Sequence, residues 1–227
     1  MASEGNRLEP LSRAQLVHLA AVPDVVMIFW DRRGLIVPYP RRTPTARRSW
    51  PWYEANIAGL MMQLRQFGVP IDGLLSITAK FREAIAWADR YGIDRNDVFG
   101  LWSVFTSHAF HERGEYDDDE LAASLDLWSE EGHGAQRITP RLRQIHASMP
   151  KAEFRQHLDA YLLITDQPAR DAPRAQYHPD MTYFWLAGDQ WHFARGEGAP
   201  RRARDDGAIA SIAVDVATVI YDVWNRP

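Results

Sequence analysis

Six arginines and no acidic residue lie between positions 32 and 48. A guanidinium group binds phosphate through two charge-assisted hydrogen bonds, so an acid-free run of arginines is suited to the backbone of a nucleic acid. The whole chain carries a net charge of −4, which disfavours a general nucleic-acid binder, and a charged run can equally be a solvated loop. The arginines therefore indicate phosphate contact only if the surrounding elements present them together.

A second set of polar residues has part of the spacing of a metal site. His108 and Glu112 are separated by four residues, as ligands on one helix face are, and three aspartates follow at positions 117–119. A helical metal site also needs ligands that converge from another element, and the sequence does not identify one. We interpret the acidic run as the solvated start of a helix, where negative charge is favourable. No metal and no other cofactor is expected.

The sequence lacks the short motifs of common nucleotide-binding and hydrolytic enzymes, since it contains no Gly-x-Gly-x-x-Gly, no Walker loop and no Gly-x-Ser-x-Gly. The absence of cysteine excludes disulfides, thiolate metal ligands and cysteine nucleophiles. An enzyme is therefore not expected. The 227 residues, 46% hydrophobic and 25% charged, are typical of a globular protein. With no secretory signal and no apolar run of membrane-spanning length, we expect a cytoplasmic protein that does not contact a membrane.

Two short helices are predicted before the arginine run. Ser12 and Gln15 have the spacing of a capping box, which opens the first helix. A tight turn at residues 21–24 leads into the second helix, and Gly34 ends that helix because glycine adopts the left-handed conformation readily. On the second helix, Met27 and Trp30 are expected to lie in the core.

A strand, a loop and a third helix follow. Residues 35–37 are predicted as a short strand, and residues 39–48 as an exposed loop rich in proline, threonine and arginine. The third helix begins near Pro51, since proline suits a first helical turn, and ends near residue 67. Two helices, a strand, a basic loop and a helix form the plan of a winged helix-turn-helix, in which one helix enters the major groove and the loop lies along the DNA backbone.

The same residues resemble the MerR family of bacterial transcription regulators over about residues 10–78. The matching segments are Leu19-Ala20-Ala21-Val22, Phe29-Trp30-Asp31, Gly34-Leu35-Ile36-Val37-Pro38, Arg47-Arg48-Ser49-Trp50 and Leu64-Arg65-Gln66-Phe67-Gly68-Val69. The resemblance implies a homodimer that binds double-stranded DNA as a transcription regulator and associates with the nucleoid when bound. It also implies RNA polymerase as a partner and a small-molecule effector in the C-terminal region.

The residues predicted to contact DNA lie on the first two helices and the basic loop. They are Arg13, Val25, Ile28, Phe29, Arg32, Arg33, Arg41, Arg42, Thr43, Arg47 and Arg48. The outward face of the second helix should carry Val25, Ile28, Phe29 and Arg32, which is mainly apolar. Ile28 stands where the family usually has an arginine that touches the DNA backbone.

The apolar face of the second helix leaves two hypotheses open. Apolar side chains contact thymine methyl groups but cannot read guanine or adenine edges by hydrogen bonds. DNA binding is therefore favoured by the basic loop more than by the helix. In the alternative hypothesis the same face binds a protein, and the chain is an anti-activator or a polymerase-binding adaptor with a degenerate helix-turn-helix.

The rest of the chain is predicted to be a mainly helical region, residues 79–227, that follows the winged domain of residues 1–78. A heptad-like set on the helix over residues 70–91 matches the family's dimerisation helix, and its members are Leu74, Ile77, Phe81 and Ile85. A β-hairpin is predicted over residues 182–194, followed by a polar loop at 196–207. The last amphipathic segment, residues 212–223, fits a helix, although its β-branched residues leave a strand open.

Four aromatic residues of the hairpin, Tyr183, Trp185, Trp191 and Phe193, are expected to pack rather than line a ligand pocket. The fold class predicted is mainly α, with an N-terminal winged helix-turn-helix followed by a helical region that carries a C-terminal β-hairpin.

Overall fold

The computed structural model describes residues 10–41, 43, 45–93, 97–130, 139–165 and 181–226. The chain forms two compact units. Unit 1 contains Met1–Ala79 together with Leu163–Pro227, and unit 2 contains Lys80–Leu162. The predicted fold class is confirmed in its coarse form, since the described chain is mainly helical with one small antiparallel sheet late in the sequence.

The described elements follow one another along the chain as α1 (Arg13–Ala20), α2 (Asp24–Arg33), α3 (Tyr53–Gln66), α4 (Ile71–Tyr91), α5 (Asp97–Glu112), α6 (Asp118–Glu130), α7 (Pro140–Ala147), α8 (Lys151–Thr165), β1 (Thr182–Ala187), β2 (Gln190–Arg195), α9 (Ala199–Asp205), β3 (Ser211–Val214) and α10 (Val216–Trp224). No single helix among them is long and apolar enough to cross a membrane. Helices α1 and α2 reach that length and composition only when taken together, across a bend of 109°.

The predicted caps of the first two helices are confirmed. The Ser12 hydroxyl accepts a hydrogen bond from the Gln15 amide at 3.3 Å, and the Gln15 side chain accepts one from the Ser12 amide at 2.8 Å. Gly34 ends α2 in the left-handed conformation, with φ of 77°. The chain leaves α1 through Ala21, whose φ of 50° is the one positive value recorded for a non-glycine residue in the described chain.

The predicted strand at residues 35–37 is wrong. The Leu35 amide donates to the Trp30 carbonyl at 3.0 Å, so it closes the end of α2 instead of joining a ladder. Leu35 and Ile36 are fully buried in the turn that follows the helix. The apolar run that suggested a strand is thus a buried helix-end turn.

The basic loop is held at its base by backbone hydrogen bonds rather than by wing strands. The Tyr39 amide donates to the Ser49 carbonyl at 2.8 Å. Leu11 and Trp50 form an isolated antiparallel bridge with hydrogen bonds of 2.8 and 2.9 Å. Over the described part of residues 35–50 this bridge is the only extended pairing.

The late segment of unit 1 forms a three-stranded antiparallel sheet in the order β2-β1-β3. The predicted hairpin is confirmed, with Thr182 opposite Arg195 and Ala187 opposite Gln190. The last amphipathic segment contains both a strand and a helix. Residues 211–214 form β3, which pairs with β1, and α10 follows.

The polar loop predicted at residues 196–207 is wrong because part of it is α9. Ala199 and Ala203, four residues apart, are buried in one cluster with Trp185 of β1. The Trp185 indole nitrogen donates to an Asp206 carboxylate oxygen at 3.1 Å, just after the helix. Burial of these two alanines therefore stabilises a helix in a segment whose polar composition predicted a loop.

The two chain segments of unit 1 are joined through α3. Buried Asn56 donates from its side-chain amide to the Ile164 carbonyl at 2.8 Å, and its side-chain oxygen accepts from the Trp224 indole at 2.7 Å. A Cβ added at Gly59 would lie 2.6 Å from a methyl of Val223, so α10 packs tightly on α3. A division of the chain after residue 78 does not match these compact units, since residues 163–227 belong with the N-terminal segment.

Unit 2 is an assembly of helices around a core of aromatic and aliphatic side chains. Trp87, Leu101, Leu142, Phe154 and Leu158 are among its buried members. Its helix starts are capped as their sequences suggest. The Asp117 carboxylate accepts from the Glu120 amide at 2.8 Å ahead of α6, and the Thr139 hydroxyl accepts from the Leu142 amide at 3.3 Å ahead of α7.

The predicted dimerisation residues on α4 do not form a free helix face. Leu74, Ile77 and Phe81 are at most 1% exposed within the chain itself, and Ile85 is half-buried. A helix in a protein core and a helix in a coiled-coil dimer have similar apolar spacing, so the sequence pattern did not separate the two.

Replacement of Ala21 by glycine should stabilise unit 1 by about 1 kcal/mol, because a left-handed conformation is strained for a residue with a Cβ. Urea unfolding of Ala21→Gly and wild type measures the difference. The control is Ala14→Gly, which makes the same chemical change at an exposed position inside α1 and should destabilise by about 0.5–1 kcal/mol. A lower free energy of unfolding for Ala21→Gly would contradict the expectation.

Replacement of Asn56 by leucine should cost about 3 kcal/mol of unfolding free energy, because the buried Ile164 carbonyl and Trp224 indole both lose their hydrogen-bond partner. Gln66→Leu, on the exposed end of the same helix, should change stability by less than about 0.5 kcal/mol. Equal melting temperatures for the two variants would show that Asn56 does not join the segments of unit 1.

Candidate nucleic-acid interface

Helices α1 and α2 are joined by a short turn and lie at a steep angle to each other. Residues 21–23 join them, and the chain turns by 109° between the two helix axes. Helix-turn-helix pairs cross at about 90–120° with a turn of three or four residues. Met27 and Trp30 of α2 are fully buried, as the sequence predicted, so the orientation of the helix about its own axis is fixed.

The face of α2 opposite that core is exposed and mainly apolar. Val25 is 73% exposed and Phe29 is 39% exposed, while Ile28 is half-buried at the edge of the face. The guanidinium of Arg33 lies over the Phe29 ring, 5.4 Å from its centroid. The predicted outward residues therefore share one surface, with Arg32 exposed at its C-terminal end.

Both acidic residues of α2 are paired with arginines. Asp24 receives the Arg13 guanidinium at 3.0 and 3.1 Å, and Asp31 is in direct contact with the Arg48 guanidinium. These are the only acids between residues 10 and 50. Arg13 and Arg48 were predicted to contact phosphate, but their first role is to neutralise the acids and to tie α1 and the basic loop to α2.

The other predicted DNA contacts lie on α2 and on the basic loop. Arg32, Arg33, Arg41 and Arg47 are exposed. Thr43 is also exposed, with its hydroxyl 3.4 Å from that of Thr45. Arg42 lies outside the described residues. Arg32, Arg33 and Arg47 thus place exposed positive charge on α2 and on the basic loop.

Sequence reasoning missed a supporting residue beneath the loop. Glu54, in the first turn of α3, is fully buried, and its carboxylate accepts a hydrogen bond from the Val37 amide at 3.2 Å. The loop therefore begins at a fixed point on α3. An acid in an otherwise apolar helix start is the sequence signal that could have identified it, since buried carboxylates require hydrogen-bond donors.

The weak metal pattern of α5 does not form a site in the described part of unit 2. Glu112 pairs with Lys151, and the His108 ring stacks on the His146 ring with centroids 4.7 Å apart. His111 instead contacts Asp118 at 2.8 Å. No group of three or more possible ligands converges among the residues that the structure describes.

The stacked histidines have unusual protonation properties. Burial, and then the neighbouring His108, lowers the pKa of His146 to about 4. The pKa of His108 is also lowered, by burial first and then by the positive charges of Lys151, His111 and Arg143. Both rings are therefore neutral at pH 7.

The aromatic residues of the hairpin pack within unit 1. Trp185 is buried and stacks on His192, with ring centroids 5.9 Å apart. The ring centroids of Phe193 and Phe184 are 5.8 Å apart. The Trp191 indole lies against Gly73, where an added Cβ would be 2.5 Å from its nitrogen. These contacts fit the packing interpretation of the cluster.

No model of a protein family matches the chain, and no curated protein matches it with significance. The function is therefore inferred from the geometry and the charged residues of the α2 face.

Acidification should destabilise unit 2 through His146. In the unfolded chain this histidine takes up a proton near pH 6.5, whereas in the folded chain it stays neutral to about pH 4. The contribution of neutral His146 to the free energy of unfolding is therefore fully present above pH 6.5. It is lost as the pH falls from 6.5 to 4, and the total loss is about 3 kcal/mol. His146→Phe should lose less stability over this range, as measured by hydrogen exchange of α7 in urea. Identical pH dependence of the two proteins would exclude His146 as the cause.

Proposed function

We propose that unit 1 binds double-stranded DNA, with α2 in the major groove and the basic loop along the phosphate backbone. The observation that carries this proposal is the combination of helix geometry and charge on one surface. A helix held at 109° to its predecessor exposes Val25 and Phe29, and both of its acids are paired with arginines. The major groove of DNA is about 12 Å wide, which admits an α-helix.

Exposed arginines on α2 and on the basic loop supply the cations that phosphate contacts require. Arg41 and Arg47 are exposed on the loop, whose base is fastened by the Tyr39–Ser49 hydrogen bond. Arg32 and Arg33 are exposed at the C-terminal end of α2. Phosphate neutralisation by arginine supplies most of the affinity of a DNA-binding protein and makes it salt-dependent. The surface thus combines a groove-sized helix with flanking cations.

The resemblance to the MerR family extends the proposal to transcription regulation in the cytoplasm. A homodimer would place two copies of α2 in half-sites about one DNA turn apart, or a multiple of that distance. Since Leu74, Ile77 and Phe81 are buried, such a dimer would pair through other surfaces. RNA polymerase and a small-molecule effector are further partners that this resemblance implies.

A protein-binding adaptor is the second candidate function. The exposed apolar side chains of Val25 and Phe29 favour it, because adjacent exposed apolar groups often mark a protein contact. The cationic surroundings favour DNA instead. The adaptor hypothesis predicts no salt-dependent affinity for a duplex.

Removal of one loop arginine should weaken duplex binding in a salt-dependent manner. Wild type should bind a mixed-sequence DNA duplex, and Arg47→Ala should reduce the slope of log K against log salt by about one. Fluorescence anisotropy over a series of salt concentrations measures both quantities. Arg201→Ala, an exposed arginine of α9 in the same unit, is the matched control and should leave the slope unchanged.

Two results would contradict DNA binding. One is a wild-type protein with no salt-dependent affinity for duplex DNA. The other is an Arg33→Ala, Arg41→Ala, Arg47→Ala triple variant that remains folded and binds the duplex as wild type does.

A further inference from the structure

We infer that the DNA sites bound by this protein carry thymines opposite Val25 and Phe29, and that these side chains recognise the thymine methyl groups. The inference rests on the proposed function and specifies which duplexes α2 selects. It follows from the exposed face of α2, which offers apolar contact where a reader of guanine or adenine would offer hydrogen-bonding groups.

The two side chains are spaced suitably for bases about two pairs apart. Val25 and Phe29 are four residues apart, so they lie on one helix face. A helix rises about 1.5 Å per residue, which places them about 6 Å apart along the axis. Base pairs are about 3.4 Å apart along the DNA axis. Where α2 follows the groove, the two side chains meet bases about two pairs apart.

The chemistry of the major groove selects among those bases. Guanine and adenine present acceptors and donors that need polar partners, whereas thymine adds a methyl group that apolar side chains contact. Val25 and Phe29 offer no hydrogen bond, so a guanine or adenine edge pressed against them would lose water without replacement. Thymine methyls are the groups that gain from this contact. Arg32, at the end of the same face, is the first group able to read a guanine.

Electrostatics favours DNA over a protein as the occupant of this apolar face. Asp24 and Asp31 are paired with Arg13 and Arg48, so neither carboxylate repels a phosphate as a free charge. Exposed Arg33 lies over the Phe29 ring itself, which places a cation beside the apolar contact. A polyanion with methyl groups in its groove complements this surface.

The test compares thymine with uracil, which lacks only the methyl group. Duplexes are selected by the full chain from a randomised pool, and the enriched duplex is then synthesised with deoxyuridine in place of thymidine. We expect affinity to fall about fourfold for each contacted methyl that is removed. The salt dependence of binding should not change, because the phosphate contacts remain.

Variants assign the effect to α2. Val25→Ala and Phe29→Ala together should abolish the difference between thymidine and deoxyuridine duplexes. Phe67→Ala, which truncates a 59% exposed phenylalanine at the end of α3, should retain it. Val25→Ala alone is also measured, since truncating a 73% exposed side chain leaves no cavity, and it should reduce the difference.

The outcomes separate this inference from the function on which it rests. If the wild-type protein binds the thymidine and deoxyuridine duplexes with equal affinity and its binding still depends on salt, methyl recognition is overturned and DNA binding is not. A thymidine preference that persists in the folded Val25→Ala, Phe29→Ala variant also overturns it. If no duplex is enriched and no salt-dependent binding occurs, the proposed function itself fails. The second candidate function, in which the α2 face binds a protein, is then favoured.

Discussion

Complete burial of Met27 and Trp30 is the constraint on which the candidate interface depends. These side chains fix the rotation of α2, so Val25 and Phe29 must face outward. Two ion pairs then secure the surroundings, since Arg13 joins α1 to the start of α2 and Arg48 joins the basic loop to its end. Burial of Met27 and Trp30 thus determines which side chains of α2 a partner can touch. The two ion pairs determine the charge of the surface around those side chains.

The late segment of the chain packs against α3, which also contacts α1. Asn56 ties α3 to the end of α8 and to α10, and Gly59 admits the close approach of Val223. A fragment ending at residue 78 would leave this side of α3 uncovered. The segment that resembles a winged domain in sequence is therefore one part of a larger folded unit.

Local signals in the sequence predicted the helices well, because caps and turns depend on a few neighbouring residues. The Ser12 capping box and the Gly34 helix end both formed as expected. Features that depend on tertiary contacts were missed. The alanines of α9 form a helix against Trp185, and α4 buries the residues that looked like a dimer seam. Val25, Phe29 and Arg32 are exposed as their helical spacing predicted, but the pairing of Arg13 with Asp24 and of Arg48 with Asp31 depends on the tertiary fold.

We propose that the outward face of α2 lies against the bases of a DNA duplex. A crystal structure of the protein with a duplex enriched from a random pool tests it most directly. We expect α2 in the major groove, with the Phe29 ring within about 4 Å of a thymine methyl group. A complex in which α2 points away from the duplex, or in which Val25 and Phe29 are covered by protein, would contradict it.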